Sequence, residues 1–569
     1  MKLRYGWILA PVAALLGWGW AQAPQAQPTL PSSMPPGAVL YLEAKDFGAL
    51  LNDWNTSPEK AAWLKSSNYD VFAKSRLFMR LGDAQGEFAA AAGVEPNMAM
   101  LASVAGSESA LAIYDIGKLE FLYMTRLPAA RAAQTVFRGA LAQWSPRTVN
   151  GLSYSVKIDK NTKRVTAFSA NNGMLLLATR EDLMAGALAL LAKQPNQTLR
   201  NEAWFDRATR AAGGRGELRM AANLAQLVRS PHFRSYWVQQ NITELKQYES
   251  SVADMVRSAG EIREQRVMVR AAGIADGVDG SAAVAQLARL APATAGLWRA
   301  WGAPSVEDAS ALVEWKILSP RAGGMPVGKQ APSAAGESQP EGSEADLETK
   351  IDEAPFSAAA ASLHAEPIRA LLKQTAVDAV LSVQSTRPQA DGVFIGQESA
   401  VALLGKAAWD SNAARAAVLE AVDGLWTSGK LGLDWTTKQA GGRTYYAISG
   451  LSPVVMAVDG KVMILATSEP LMQAMLGQLN AQPATVESRT VFAAQFRHTA
   501  ERANFKRMML LVERAAPAQE GPPEGREPEY FSENLASLST AMARMDSASI
   551  TVRDMGNAVT QTVTYRLSK

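Results

Sequence analysis

One stretch of this chain occurs twice, and that recurrence constrains the fold more than any other feature. Ala178–Pro195 reads ATREDLMAGALALLAKQP, and Ala466–Pro483 reads ATSEPLMQAMLGQLNAQP. Nine of the eighteen aligned positions are identical: Ala178, Thr179, Glu181, Leu183, Met184, Leu188, Leu191, Gln194 and Pro195. Self-similarity at this distance predicts two copies of one module. Each copy follows an apolar run, Met174–Leu177 or Val462–Leu465, and a tight-turn pair, Asn172-Gly173 or Asp459-Gly460. Such pairs tolerate the positive φ of a two-residue hairpin turn. Upstream lie the β-rich runs Val165–Ser169 and Val454–Val458. The module therefore predicts strand, turn, buried strand and helix. Leu183, Ala187 and Leu191, with Met184 and Leu188 beside them, make one apolar helical face. Thr179 is a candidate cap for that helix, Glu181 and Glu469 suit its positive end, and Pro195 and Pro483 follow it.

Weaker matches extend the pairing. AARAA recurs at Ala129–Ala133 and Ala413–Ala417, opening amphipathic helices predicted over Ala129–Trp144 and Ala413–Trp426. Gly151–Tyr154 pairs with Gly442–Tyr445, Phe205 with Phe492, and Arg219-Met220 with Arg507-Met508. The offset stays near-constant, which places one repeat domain at 36–289 and a second at 290–569. The expected fold is α+β, with two tandem copies of a domain whose antiparallel sheet is covered by amphipathic helices. Val39–Glu43 is a predicted strand. Asp46 caps a predicted helix carrying Phe47, Leu50, Leu51 and Trp54 on one face. Residues 60–105 are expected to be mostly helical. Ala110–Ile116 with Leu119–Leu127, and Ser547–Arg553 with Val559–Leu567, are expected strand pairs. Pro292–Trp301 followed by a helix at Ser305–Val313 is the expected opening of the second copy.

The chain begins MKLRYGWILAPVAALLGWGWAQA. Lys2 and Arg4, the apolar Trp7–Trp20 and the small residues Gly19 and Ala21 define a secretory signal over 1–21, cut after Ala21. An uncleaved anchor is the alternative, against which the shortness of the apolar core counts. Residues 22–35, rich in Gln, Pro and Ser, are expected to be a disordered spacer, and residues 319–354 and 515–529 disordered insertions. There is no cysteine, which excludes disulfides, thiol catalysis and a lipid-modified Cys anchor. The formal charge of +3 falls to +1 once Lys2 and Arg4 leave with the signal, 55 basic against 54 acidic residues. That balance argues against a nucleic-acid partner.

No stretch carries a recognisable catalytic centre. Ser57-Pro-Glu-Lys60 fits the S-x-x-K pattern of penicillin-binding enzymes, but the Lys-Thr-Gly strand that accompanies it there is missing, and Ser57-Pro58 suits a helix start. His232, His364 and His498 are too far apart to form a zinc pair on one helix. No phosphate-cradling glycine loop is present. Asp276–Gly280 lacks the alternating oxygen ligands of a calcium loop and is expected to be a hairpin turn. No catalytic, cofactor-binding or metal-ligating residue is assigned, and no cofactor is expected. Trp54, Trp63, Trp298, Trp301 and Trp315 are expected in cores, with a sugar or lipid platform as the alternative.

The opening P-x-x-A-V-L-Y-L-E with its D-x-x-x-L-L-x-D-W helix (Val39–Trp54), and the joints Ala178–Met184 and Ala466–Met472, resemble a bacterial family of exported, internally duplicated proteins filed as a domain of unknown function. The resemblance implies a bacterial source and an envelope or extracellular location, and it supplies no catalytic residues. Three expectations of function follow. The first is a non-enzymatic periplasmic or secreted binding or scaffolding protein with an envelope partner and possible peripheral membrane contact. The second is a carrier of lipid or another apolar ligand in a cavity between sheet and helices. The third is an envelope serine hydrolase acting through Ser57.

Overall fold

The computed structural model describes residues 29–57, 60, 64, 69, 73–74, 76–236, 245–272, 277–318, 366–388, 395–423, 434–449, 453–504 and 544–568. The signal segment, both insertions, Trp63, Trp426, His364 and Arg507-Met508 lie outside them.

The molecule is mixed α and β, built on a 20-stranded antiparallel sheet. Its first ten strands are β1 (Leu40–Ala44), β2 (Ser109–Asp115), β3 (Glu120–Arg126), β4 (Ser145–Val149), β5 (Leu152–Ile158), β6 (Val165–Asn171), β7 (Met174–Ala178), β8 (Leu218–Ala222), β9 (Tyr248–Ser258) and β10 (Glu261–Arg270). The other ten are β11 (Leu297–Gly302), β12 (Val377–Pro388), β13 (Ile395–Gly405), β14 (Thr436–Ala440), β15 (Arg443–Ile448), β16 (Val454–Asp459), β17 (Val462–Ala466), β18 (Thr490–Arg497), β19 (Met545–Asp554) and β20 (Ala558–Leu567). Hydrogen-bonded neighbours run β4-β5-β6-β7-β3-β2-β1-β8-β9-β10 in the first set. In the second they run β14-β15-β16-β17-β13-β12-β11-β18-β19-β20. The last strands of the two sets pair with each other, Glu261 opposite Arg566 through Val269 opposite Ala558.

Ten helices are labelled here: α1 (Phe47–Thr56), α2 (Arg76–Ala92), α3 (Met98–Val104), α4 (Glu181–Leu191), α5 (Ala203–Ala212), α6 (Ser281–Ala288), α7 (Val306–Val313), α8 (Glu366–Thr375), α9 (Ser411–Asp423) and α10 (Glu469–Gly477). They lie on both faces of the sheet. In the first half, α4 and α5 cover one face, burying Leu183, Met184, Leu188 and Phe205 with Tyr41, Leu122 and Leu176. In the second, α6 and α10 do the same with Leu287, Met472 and Leu476 against Leu381 and Ile464. Strand alternation sends the remaining residues to the opposite face. There Val104, Phe137 and Trp144 meet Phe168 and Leu177 in the first half. Val313, Leu372 and Val418 meet Leu403 and Leu465 in the second.

The repeated segment sits in matching surroundings. β7 lies between β6 and β3, and β17 between β16 and β13. α4 buries Leu183, Met184, Ala187 and Leu188, and α10 buries Leu471, Met472, Met475 and Leu476. Each buried Leu or Met stabilises by about 1.5–3 kcal/mol over its exposed state.

Several expectations change. Thr179 does not cap α4; its hydroxyl accepts the Phe121 N–H at 2.8 Å and bridges to the neighbouring strand. In α10 the cap is Ser468, which accepts from Leu471 N–H. Within the expected spacer, Leu30–Ser33 form a 3-10 turn, with Leu30 and Met34 buried and the Met34 carbonyl accepting from Leu199 N–H. Two large apolar side chains there have a core to enter, which composition averaged over the stretch concealed. The helix expected over Ala129–Trp144 is broken into Ala129–Ala132, Phe137–Ala140 and a 3-10 turn, Leu141–Gln143. At the first break the Thr135 hydroxyl bonds back to the Ala132 carbonyl, the competition with helical geometry that β-hydroxyl side chains offer. Phe205 lies on α5 but Phe492 on β18, so that sequence match does not join equivalent positions. Of the turn expected at Asp276–Gly280, Asp276 lies outside the described residues; Asp279 accepts from Ser281 N–H and Arg489 N–H, and the chain enters α6. α6 packs in the second core through Ala283, Val284 and Leu287. Trp54 and Trp315 are exposed where core positions were expected, while Trp298 and Trp301 are half-buried and pack against cores of the second half.

Candidate functional site

A cavity of about 620 Å³ lies in the first half, between the sheet and the α2–α3 arm. Its floor is built by alternation. Leu42 on β1, Leu111 and Ile113 on β2, Phe121 and Tyr123 on β3 and Leu177 on β7 all line it. Its roof is built by helical spacing: Leu81, Ala84, Phe88 and Ala91 recur at three and four residues along α2. Met100, Leu101 and Val104 of α3 close one end. Phe88 stacks at a tilt over Phe121, centroids 6.2 Å apart, and Phe47 meets Tyr123 at 6.5 Å.

Residues 78–87 of α2 bury no side chain, whereas Ala91 and Ala92 at its end and Met100 and Val104 of α3 are buried. α1 buries none of its residues. Trp54, Met79, Leu81 and Met98 are all more than 40% exposed. Few buried apolar contacts mean a low free energy of local opening. In the second half, the corresponding face of β12, β13 and β17 is covered by α7, α8, α9 and a π-turn at Glu314–Leu318, with Ile317 and Leu318 buried.

Polar groups in the wall are mostly satisfied within the protein. Ser109 and Thr125 share a hydrogen bond at 2.6 Å, and the Tyr123 hydroxyl donates to the Val104 carbonyl at 2.8 Å. Burial pushes the Tyr123 hydroxyl upward in pKa, so it stays a donor at neutral pH. Thr166 is fully buried, and its hydroxyl has no partner among the described residues; one buried Glu43 oxygen likewise accepts no hydrogen bond from them. An unpaired buried hydroxyl costs about 1–3 kcal/mol. Nearby, Glu108 accepts from Arg126 at 2.6 Å and from Arg215 at 2.9 Å, and Arg215 also faces Glu43 at 3.3 Å. Burial pushes the Glu43 carboxyl up; burial acts on Glu108 too, but its two arginine hydrogen bonds outweigh it and hold that carboxyl low. These acids are committed to arginines.

A second polar cluster recurs in both halves. The Tyr154 hydroxyl donates to Glu181 at 3.1 Å, with Arg147 at 3.6 Å from the same carboxylate. The Tyr445 hydroxyl donates to Glu469 at 2.9 Å, and Lys438 pairs with that carboxylate. Each cluster ties the outer hairpin of the sheet to the first turn of α4 or α10. The Gly151–Tyr154 match in sequence pointed to it.

The motifs singled out by sequence go elsewhere. Ser57 donates to the Trp54 carbonyl and accepts from Lys60 N–H, while the Lys60 ammonium donates to Asn55 at 2.6 Å. Lys60 therefore does not reach the Ser57 hydroxyl as a base. His498 is buried against the edge of Phe496, and burial, with Arg502 nearby, lowers its pKa. Asp279 is occupied by backbone N–H groups. Among the described residues there is no group of three or more acidic or histidine side chains placed to hold a metal. Nor is any described helix long and apolar enough to cross a membrane.

No family model matches this chain, and no curated protein does. Crystal forms I and III of TP0453 are similar over part of it. Form I shares 12% identity, covers 44% of this chain and 81% of its own, and aligns with a TM-score of 0.23. Form III gives 11% identity, 43% and 80% coverage, and the same TM-score. That likeness is too slight to assign a fold or a role.

Proposed function

We propose that this chain is a non-enzymatic binding protein of the bacterial envelope that holds an apolar small molecule beneath the α2–α3 arm. The observation that carries the reading is the cavity of about 620 Å³ floored by Leu42, Leu111, Phe121 and Leu177. That volume is within the range that buries small ligands. The thin anchoring of residues 78–87 of α2 supplies a route of entry. The envelope location rests on Lys2, Arg4 and the apolar Trp7–Trp20. The matching strand orders and the recurrent Tyr–Glu ties support reading the scaffold as two copies of one module. In that reading, the first copy keeps an open face and the second has filled it. The Lys60 ammonium, directed to Asn55, weighs against a hydrolase at Ser57.

The test is direct. Protein purified gently from its own host should carry an amphiphile visible by native mass spectrometry. Emptied protein should take up the neutral dye N-phenyl-1-naphthylamine with a rise in fluorescence. Ala84→Phe, which places a ring in the cavity, should lower dye uptake at least about tenfold, a loss of roughly 1.4 kcal/mol in binding. Absence of both bound amphiphile and dye uptake would refute the reading.

A further inference from the structure

The polar part of the cavity wall bears on the head of the ligand. Arg164 stands immediately before β6 and Thr166 within it, two residues apart, so both project to one side of the sheet. It is the side on which Phe168 packs with Phe137. Both residues line the large cavity. Arg164 also lines an adjoining cavity of about 90 Å³, with Arg80, Glu87 and His232. Arg164 is thus common to the walls of both cavities, beside the charged Arg80 and Glu87 in the smaller one. One of its N–H groups donates to the Lys118 carbonyl at 2.7 Å, and the group is ion-paired with Glu87. Its remaining N–H groups have no partner among the described residues. Thr166 is fully buried with its hydroxyl unmatched among the described residues, whereas the Thr179 hydroxyl, also in the wall, is engaged with Phe121.

Resting on the apolar-ligand reading, we propose that the occupant is a single-chain amphiphile with an anionic oxygen head, such as a fatty carboxylate. Its chain lies between α2 and the sheet. Its head accepts a hydrogen bond from Thr166 and a charge-assisted one from Arg164. Arginine suits this role because its fork presents several donors to one oxyanion. Glu87 occupies part of that fork in the empty protein and competes with the head.

Displacement of N-phenyl-1-naphthylamine by dodecanoate, dodecanol and dodecylamine tests this on the full chain. Dodecanoate should compete at concentrations at least about tenfold lower than the other two, the worth of one charge-assisted hydrogen bond. Arg164→Gln should bring the acid-to-alcohol ratio toward one. Glu87→Gln should widen it by freeing the guanidinium, a gain that a merely structural ion pair would not produce. Should Arg164→Gln fail to fold, Glu87→Gln decides: a ratio that is unchanged or smaller overturns the assignment. Equal competition by all three amphiphiles in the native chain overturns the anionic head while leaving the apolar reading standing. An undiminished acid preference in Arg164→Gln removes Arg164 from the site. Failure of the dye to bind at all overturns the apolar reading itself.

Discussion

Arg270 and Asp554 form a bidentate pair at 2.6 and 2.7 Å, and Arg270 also donates to the Gly556 carbonyl. The two side chains come from β10 and β19 and straddle β20, so the pair holds the halves together where they meet. Both are largely buried, 16% and 13% exposed. The Arg270 hydrogen bonds hold the Asp554 carboxyl below its ordinary pKa. A carboxyl with a depressed folded pKa contributes stability above its unfolded pKa of about 3.9, and that contribution is lost as pH falls through the folded value. Asp554→Asn should therefore lower stability at neutral pH by about 1.5–3 kcal/mol. The gap in Tm between variant and native protein should close on acidification below about pH 4. A gap that stays constant into strong acid would show that the pair does not contribute through charge.

At the scale of elements, α2 and α4 have similar apolar periodicity but opposite fates. α4 follows directly from buried β7, and its stripe falls on a floor already made by β3 and β6. Leu188 is fully buried there. Leu81 on α2 is 46% exposed, over a cavity and not a packed surface. Leu188→Ala should cost about 2–5 kcal/mol, the range for a large side chain lost from a core. Leu81→Ala should cost under about 0.5 kcal/mol, as exposed substitutions do. Denaturant unfolding of the two variants measures the difference. Hydrogen exchange should likewise show α2 amides opening more readily than those of α4. Equal protection of both helices would remove the entry route proposed for the ligand.

For the whole molecule, the decisive contact is the β10–β20 ladder, nine residue pairs from Glu261–Arg566 to Val269–Ala558. Sheets of this breadth are uncommon, and an unpaired edge of that length is a template for another strand. The natural edges are blunted: β4 is five residues long with Pro146 and Arg147, and β14 carries Lys438. A fragment spanning 29–272 should self-associate through its exposed β10, detected as a dimer or larger species in sedimentation. Val267→Pro, which removes a ladder donor, should reduce that association. A fragment that stays monomeric would show that β10 does not need its partner strand.

Much of this architecture was legible locally. The Asn172-Gly173 and Asp459-Gly460 turns, the buried runs after them and the stripes of α4 and α10 follow from turn chemistry and periodicity within about thirty residues. The same rules predicted β1, the β2–β3 and β19–β20 pairs, the helix capped by Asp46 and the helix at Ser305–Val313. They failed where a partner distant in sequence decides. The hairpin β12–β13 and strands β8, β9 and β18 were not anticipated, because their pairing is set by neighbours far along the chain. Thr179 had the chemistry of a helix cap but was drawn to Phe121, a better-placed partner on the next strand. The candidate site lay further out of reach. Leu81, Phe121 and Leu177 are ordinary core residues in sequence; only the sheet and the arm together leave a space between them. Arg164 and Thr166 acquire meaning only from that space. By itself, then, the sequence determined the elements that depend on near neighbours and showed that one stretch recurs. Tertiary structure alone decided that the halves join through their last strands and that one face stays open, because cavities and ladders are properties of surfaces brought together from distant parts of the chain.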